Sequence, residues 1–383
     1  MKLTDDAEVE KFRAEFAAFL DANLPAETEA TERPRSTSHI PEWARRWQRK
    51  LFEAGWLVPG NPPEYGGRHA TLPQMVAHQE ELSRRRIYHS FNPQGVGIIA
   101  ASLLSFGTEE QKRRWAVPIL RAEITASLGM SEPGAGSDLA GLATRAVADG
   151  DHFVVNGQKV WTSGAHDADV LLTFVRTDPD APKHKGISVL LIPTATEGVT
   201  RRPFASINGA HDTDFNEVFF NDAEVPKENL VGPLNEGWRV ANGSLGHERT
   251  MLWLGYVEWM DDVIRDSPCP HGEWYADLLM DRQALRLLGY QQLSGTRNPA
   301  EVSVLKLFGS EAVQRATLHA LEAGGAESLL HPAQTGPYSH MSMESSWASW
   351  FERYTRSFGG TIAGGTSEIQ RNIIAERILG LPR

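Results

Sequence analysis

Of 383 residues only Cys269 is a cysteine, so no disulfide closes inside the chain and no cysteine zinc site forms. It stands between Pro268 and Pro270 and reads as a loop thiol rather than a nucleophile. No run of about 18 apolar residues is present, which excludes a membrane-spanning helix. The opening Met1-Lys2-Leu3-Thr4-Asp5-Asp6 turns acidic at once. It lacks the apolar stretch of a secretory signal and the arginines of a transit peptide, so a cytoplasmic protein is expected. Positive charge is in deficit, 38 Lys and Arg against 49 Asp and Glu, which leaves a net charge of −11. Nucleic acid is therefore not an expected partner. The 13 histidines show no paired ligand spacing, so no metal is expected. Neither a Walker loop nor a nucleophile elbow occurs. What the chain does have is apolar material, 41% hydrophobic residues, ample for real cores. Its length predicts two or three domains.

Hydrophobic spacing changes character twice. Val9, Phe12, Phe16, Phe19 and Leu20 recur at helical intervals, with Thr4 and Asp5 as candidate caps. Further helices are predicted from Pro41 to Ala54, near Leu72–Arg86 and over Val96–Phe106. Another opens at Thr108, where Gln111 completes a capping box. From about residue 124 the pattern becomes short β-branched runs: Val154-Val155, Val170–Val175, Ile187–Ile192 and Phe215–Phe220. Asn156-Gly157 between such runs predicts a hairpin turn. Helical spacing returns at Trp238 and lasts to the end, broken at Ser267–Glu273 and His331–His340. Helix, sheet and helix thus follow in blocks, which argues against an alternating doubly wound fold. The expected fold class is α+β multidomain. An N-terminal helical domain (1–119) precedes a middle β-barrel-like domain (120–232) and a C-terminal four-helix-bundle domain (233–383).

Four segments carry candidate chemistry. Gly129-Met130-Ser131-Glu132-Pro133-Gly134-Ala135-Gly136-Ser137-Asp138 packs glycines around polar residues, so its backbone can approach a flat or phosphorylated ligand closely. Leu139 replaces the third glycine of a dinucleotide fingerprint, and taken alone the run reads better as a tight turn. Trp161-Thr162-Ser163-Gly164 sets an indole beside two hydroxyls, able to cover an aromatic ring and bond its edge. A half-buried strand end is the plainer reading. Glu248-Arg249 falls in a helical, largely apolar stretch, with Leu252 and Gly255 on the face of Glu248. Desolvation there would raise a carboxyl pKa and make a better base; a solvated Glu or a Glu248–Arg249 pair fits the same residues. Met251 replaces the second histidine of a zinc-protease helix. Last, Phe358–Asn372 is a glycine-rich approach into a helix capped at Thr366, and such N-termini attract anions.

In this order, and along essentially the whole chain, the segments resemble the acyl-CoA dehydrogenase family. The matching stretches are Asn61–Gly67, Gly107–Lys112, Ser131–Asp138, Asn156–Ser163, Lys185–Leu191 and Gly364–Arg371. The resemblance implies FAD held without a Rossmann fold. It matches Leu128, Met130 and Ser131 to positions lining the isoalloxazine ring, Trp161 to the residue covering it and Ser163 to the one bonding its reactive edge. Thr366 and Glu368 match positions near the ADP half, and Ser137 and Arg249 match contacts to the CoA substrate. Many members carry the catalytic Glu where this chain has Gly364; a minority carry it at the position of Glu248. Base absent at one place and present at the other is similar to isovaleryl- and long-chain-type members and to actinobacterial enzymes acting on steroid side chains.

The resemblance further implies α,β-dehydrogenation of an acyl-CoA thioester to a trans-2-enoyl-CoA, the acyl group branched, bulky or a steroid side chain. Glu248 would take the α-proton, and the backbone N–H at Gly364, with a flavin ribityl hydroxyl, would bond the thioester carbonyl. Electrons would leave through an electron-transferring flavoprotein. Two departures stand out. The Arg-x-x-Phe-Gly segment that reaches a neighbouring subunit's FAD is missing between Gly255 and Gln292, and the Gln-x-x-Gly-Gly contact is degraded near Ala320–Gly325. Both a homo-oligomer and a heterotetramer with a second such chain follow as expectations. A flavin oxidase or monooxygenase on the same fold, and a silent subunit completing a partner's FAD site, are the competing functions.

Overall fold

The computed structural model describes residues 6–26, 28–30, 32–208, 212–293, 299–330 and 348–382, with side chains described for all of these but 244–250 and 299. The chain divides into two compact units. One gathers 1–27, 70–88 and 248–383; the other 28–69 and 89–247. The cut falls inside one long helix.

The helices before the sheet are α1 (Ala7–Asn23), α2 (Glu42–Glu53), α3 (Leu72–Arg85), α4 (Ala101–Phe106), α5 (Glu109–Gln111) and α6 (Val117–Leu120). Helix α1 buries Val9, Phe12, Phe16 and Leu20 of the predicted stripe, while Phe19 is only half-buried. Its cap is Asp6, whose carboxylate accepts the Val9 N–H at 2.9 Å; the expected Thr4 and Asp5 lie outside the described residues. The capping box at Thr108 and Gln111 is present. Gln111 then donates to the Glu228 and Leu230 carbonyls (2.7 and 2.8 Å), tying this turn to the end of the β region.

The strands are β1 (Ala126–Gly129), β2 (Arg145–Asp149), β3 (His152–Lys159), β4 (Val170–Arg176), β5 (Ile187–Pro193), β6 (Val199–Pro203) and β7 (Asn216–Pro226). Among the described residues they form one sheet in the order β1-β4-β2-β3-β7-β6, with β5 on β4. Strands β4 and β5 are buried along six consecutive positions each, which explains their unbroken apolar sequence. Phe153, Val155, Leu171, Val175, Leu190, Ile192, Val218 and Val225 belong to the core of this unit.

The predicted turn at Asn156-Gly157 is not there. Both residues lie inside β3, and the hairpin reverses at Gly150 between β2 and β3. Register against β7 slips between Val155 and Gly157, a bulge. Gly157 sits at φ 149°, and a Cβ there would stand 2.6 Å from the Thr144 Cα. The glycine answers a close cross-strand approach, not a reversal.

The C-terminal helices are α7 (Gly237–Asp266), α8 (Glu273–Leu293), α9 (Val302–Gly324), α10 (Trp350–Ile362) and α11 (Ser367–Ile373). The interruption predicted at Ser267–Glu273 separates α7 from α8; the one at His331–His340 lies outside the described residues. Trp253, Leu254, Tyr256, Val257 and Met260 of α7 join Leu278, Leu285, Leu305, Val313 and Ala316 in the core of the helical unit. Glycines set the closest contacts. A Cβ on Gly289 would meet the Trp253 ring at 2.2 Å, and one on Gly309 the Tyr256 ring at 2.6 Å.

Candidate active site

The expected site residues fall on both units, and each unit is described by itself. In the sheet unit, β1 ends at Gly129 and delivers Met130 and Ser131, both half-buried like Leu128 on the strand. The Ser131 carbonyl accepts the Val160 N–H at 3.0 Å. Behind this segment lies a buried ion pair that the sequence reading missed. Lys159 is fully buried; its Nζ donates to Glu132 Oε1 (2.7 Å) and to the Met130 carbonyl (3.2 Å). The Glu132 carboxylate also accepts the N–H groups of Ala143 (2.6 Å) and Thr144 (2.9 Å). Burial lowers the Lys159 pKa to about 8 against the opposing pull of Glu132. Burial also opposes ionisation of Glu132, but Lys159 and the hydrogen bonds outweigh it and hold its pKa below the usual value. Beyond the pair the loop is open: a Cβ on Gly134 or Gly136 would meet nothing within 4 Å, and Ser137 is exposed.

Trp161 stands two residues past the end of β3 and is 59% exposed. Its φ is 61°, a left-handed conformation costing a bulky residue about 1–3 kcal/mol. Phe204 and Phe215 hold the indole edge-on at 5.3 and 5.5 Å. The turn it opens is pinned on several sides. Thr162 exchanges hydrogen bonds with Asn216, Gly164 donates to the Asp214 carbonyl at 2.7 Å, and Ser127 Oγ donates to the Ser163 carbonyl at 2.6 Å. A large aromatic face is thus strained into exposure beside a fixed hydroxyl-bearing turn, an arrangement suited to a planar ring system.

In the helical unit, Glu248 and Arg249 lie on α7, and their side chains are outside those described. One and two turns further along, Leu252, Gly255, Tyr256 and Trp259 line a cavity of about 260 Å³ with Tyr88, Glu258 and Asp262. Leu252 and Gly255 share the face of Glu248. A Cβ on Gly255 would meet nothing within 4 Å. A larger cavity of about 440 Å³ includes Glu80, Asp261, Arg282 and Arg286. These four pair with one another, Arg286 with Glu80 (2.6 Å) and Arg282 with Asp261 (2.8 Å).

The C-terminal motif forms a turn between α10 and α11. Gly364 is exposed at φ 67° and Gly365 follows at φ 98°. Thr366 Oγ1 accepts the Ile369 N–H (3.3 Å), and Glu368 is exposed and pairs with Arg371 (3.1 Å). Two buried donors hold the turn from beneath. Lys306 Nζ donates to the Gly365 carbonyl at 2.7 Å; Gln370 Nε2 donates to the Gly364 and Gly365 carbonyls at 3.1 and 3.2 Å. Burial lowers the Lys306 pKa to about 8, with Glu311 and Glu368 pulling weakly the other way. Lys306 too was invisible to motif reading. Its signal is a lone lysine inside Val302-Ser303-Val304-Leu305-Lys306-Leu307-Phe308 of α9.

Three family profiles together span most of the chain. The acyl-CoA dehydrogenase N-terminal domain matches residues 6–123, the middle domain 127–223 and the C-terminal domain 272–379. The chain is 35% identical to acyl-CoA dehydrogenase IpdE1 of Mycobacterium tuberculosis, covering 98% of each. The chain belongs to the acyl-CoA dehydrogenase family. Among solved structures, this acyl-CoA dehydrogenase is similar to the Tcur3481-Tcur3483 steroid ACAD, with TM-score 0.80 and 30% identity over all of both chains. The ChsE4-ChsE5 complex from Mycobacterium tuberculosis gives TM-score 0.77 and 30% identity, again covering all of both chains. The family uses FAD and oxidises CH–CH bonds. The sheet unit fits that cofactor: an exposed, strained indole, a fixed turn at Ser163 and an open glycine loop present a flat face, a polar edge and clearance for close approach. Among the described residues no helix is long and apolar enough to cross a membrane, and none group to hold a metal ion.

Proposed function

We propose that this enzyme dehydrogenates a branched or bulky acyl-CoA thioester at Cα–Cβ, giving a trans-2-enoyl-CoA, with Glu248 as the base. The observation that carries the reading is on α7. A cavity opens at Gly255, seven residues past Glu248 on the same face, while Gly364 holds no acid. A thioester α-proton is a very weak acid, so a carboxylate needs help from donors that bond the carbonyl as negative charge develops on it. The N–H of Gly364 is the candidate donor from this chain. Glu248 takes the α-proton, Arg249 and Ser137 bind the CoA moiety, and the Gly255 cavity receives the acyl tail. Leu128, Met130, Ser131, Trp161 and Ser163 line and cover the flavin ring, and Thr366 and Glu368 attend its ADP half. FAD, when bound, accepts the β-hydride. An electron-transferring flavoprotein is the proposed acceptor of its electrons.

Glu248→Gln is expected to retain FAD and acyl-CoA while anaerobic bleaching of the flavin slows by roughly three orders of magnitude or more. Near-normal bleaching in that variant removes Glu248 as base. Gly255→Phe should fold normally, because open space surrounds the Cβ position. It should lose turnover of branched or ring-bearing acyl-CoAs and keep that of short straight ones. Equal rates on both classes would refute the tail pocket.

A steroid-derived acyl group is the proposed substrate class, supported by the similarity to the Tcur3481-Tcur3483 steroid ACAD. The absent Arg-x-x-Phe-Gly segment favours pairing with a second, different chain that completes the FAD site, and a two-chain complex among the neighbours supports this. Expression alone and with a candidate partner tests it: a colourless single chain that gains flavin only when co-expressed is the expected result.

A further inference from the structure

Gly364 and Gly365 make the most flexible dipeptide a chain can contain, because neither residue has a Cβ to restrict its backbone. An N–H that bonds a developing oxyanion must nevertheless be fixed before reaction, or the gain is lost to reorganisation. The stiffness has to come from outside the two glycines. Upstream, the Ala363 N–H donates to the Gly359 carbonyl of α10 at 2.8 Å. Downstream, both glycine carbonyls are taken by donors on α9 and α11. Lys306 (3% exposed) reaches Gly365 at 2.7 Å, and Gln370 (4% exposed) reaches both at 3.1 and 3.2 Å. All peptide bonds described are trans. The two held carbonyls therefore fix the planes that carry the Gly365 and Thr366 N–H groups, while the Gly364 N–H shares its plane with the Ala363 carbonyl, between these fixed planes and the anchored helix end. Gly364 is bracketed by the helix end on one side and two fixed peptide planes on the other.

Lys306 is an unusual choice for a merely structural donor. Burying an ammonium costs several kcal/mol unless a carboxylate compensates it. Among the described residues no carboxylate forms an ion pair with Lys306. The nearby acids are committed elsewhere, since Glu311 and Glu368 both pair with Arg371 (2.5 and 3.1 Å). A neutral donor would hold a carbonyl at lower cost. A cation under the turn adds a positive field where the thioester oxygen gains negative charge.

We propose that Lys306 and Gln370 are positioning residues that lock the Gly364–Gly365 turn, so that the Gly364 N–H is aimed at the thioester carbonyl. The inference rests on the reading of Gly364 as the carbonyl-facing residue. Its test compares two ligands in the flavin-loaded enzyme, purified with its partner chain if FAD requires one. The first is an enoyl-CoA thioester; the second is an S-alkyl-CoA thioether of the same tail length, which has no carbonyl. Both are titrated by the change in flavin absorbance. Wild type is expected to favour the thioester. Lys306→Met should lose roughly tenfold of thioester affinity while thioether affinity and FAD content hold. Gln370→Leu, which leaves the buried charge in place, should act in the same direction and serves if Lys306→Met does not fold. Equal losses for both ligands, or none, overturn the clamp and leave the dehydrogenase reading standing. A wild type that gains nothing from the carbonyl overturns the carbonyl-facing role of Gly364 itself.

Discussion

Two buried lysines, one in each compact unit, each back a candidate segment, and they are buried on different terms. Lys159 lies behind the Met130–Ser131 segment against Glu132, whose carboxylate is saturated by two backbone N–H groups besides. Lys306 lies under the Gly364–Gly365 turn and holds only a backbone carbonyl. Burial brings both pKa values down to about 8, from an ordinary lysine value of 10.5. The first is half of a closed electrostatic unit; the second is a cation directed at a loop. A closed unit serves rigidity, because every charge in it has a partner and removing one strands the other. An open cation serves direction, because its field falls on whatever approaches the turn.

The largest expected effect breaks the closed unit. Lys159→Met strands a buried carboxylate and should cost about 3–5 kcal/mol of stability, read by chemical denaturation. Lys306→Met strands no carboxylate and recovers the desolvation of an ammonium, so its cost should stay near 1 kcal/mol. The contrast sharpens in a cycle. Lys159→Met combined with Glu132→Gln should cost clearly less than the sum of the two single changes. Equal stability losses for the two lysine variants would erase the distinction between a paired and an unpaired buried cation.

The same distinction explains how much was legible beforehand. Features set by neighbours in sequence could be read: the α1 stripe at Val9, Phe12, Phe16 and Leu20, and the capping box at Thr108 and Gln111. The order of motifs carried the family, since Ser131–Asp138 and Gly364–Arg371 are contiguous strings. Features set by distant partners could not. Asn156-Gly157 has turn chemistry, yet the decisive contact is Thr144 across the strand pair. Strand β6 buries none of Val199-Thr200-Arg201-Arg202-Pro203 fully, so its sequence carries no apolar run. Phe204 and Phe215, which hold Trp161, stand more than forty residues from it. Lys306 meets a carbonyl 59 residues away; within its helix it reads as a lysine whose stem lies along an apolar face with its head in water.

A further effect concerns pH and bears on both lysines at once. A lysine with a folded pKa of about 8 and an unfolded value near 10.5 binds fewer protons folded than unfolded between those limits. Stability rises with pH wherever the unfolded state holds more protons. Each lysine therefore contributes a rise across roughly pH 8 to 10.5 and none below pH 7, where both states are fully protonated. Lys306→Met should remove one contribution and flatten the midpoint-against-pH curve relative to wild type in that window. Lys159→Met should flatten it as well, from a lower starting stability because Glu132 is left alone. Parallel curves for wild type and Lys306→Met from pH 7 to 10.5 would mean that Lys306 keeps an ordinary pKa. The contact of Lys306 to the Gly365 carbonyl would stand, and only the desolvation of its ammonium would be refuted.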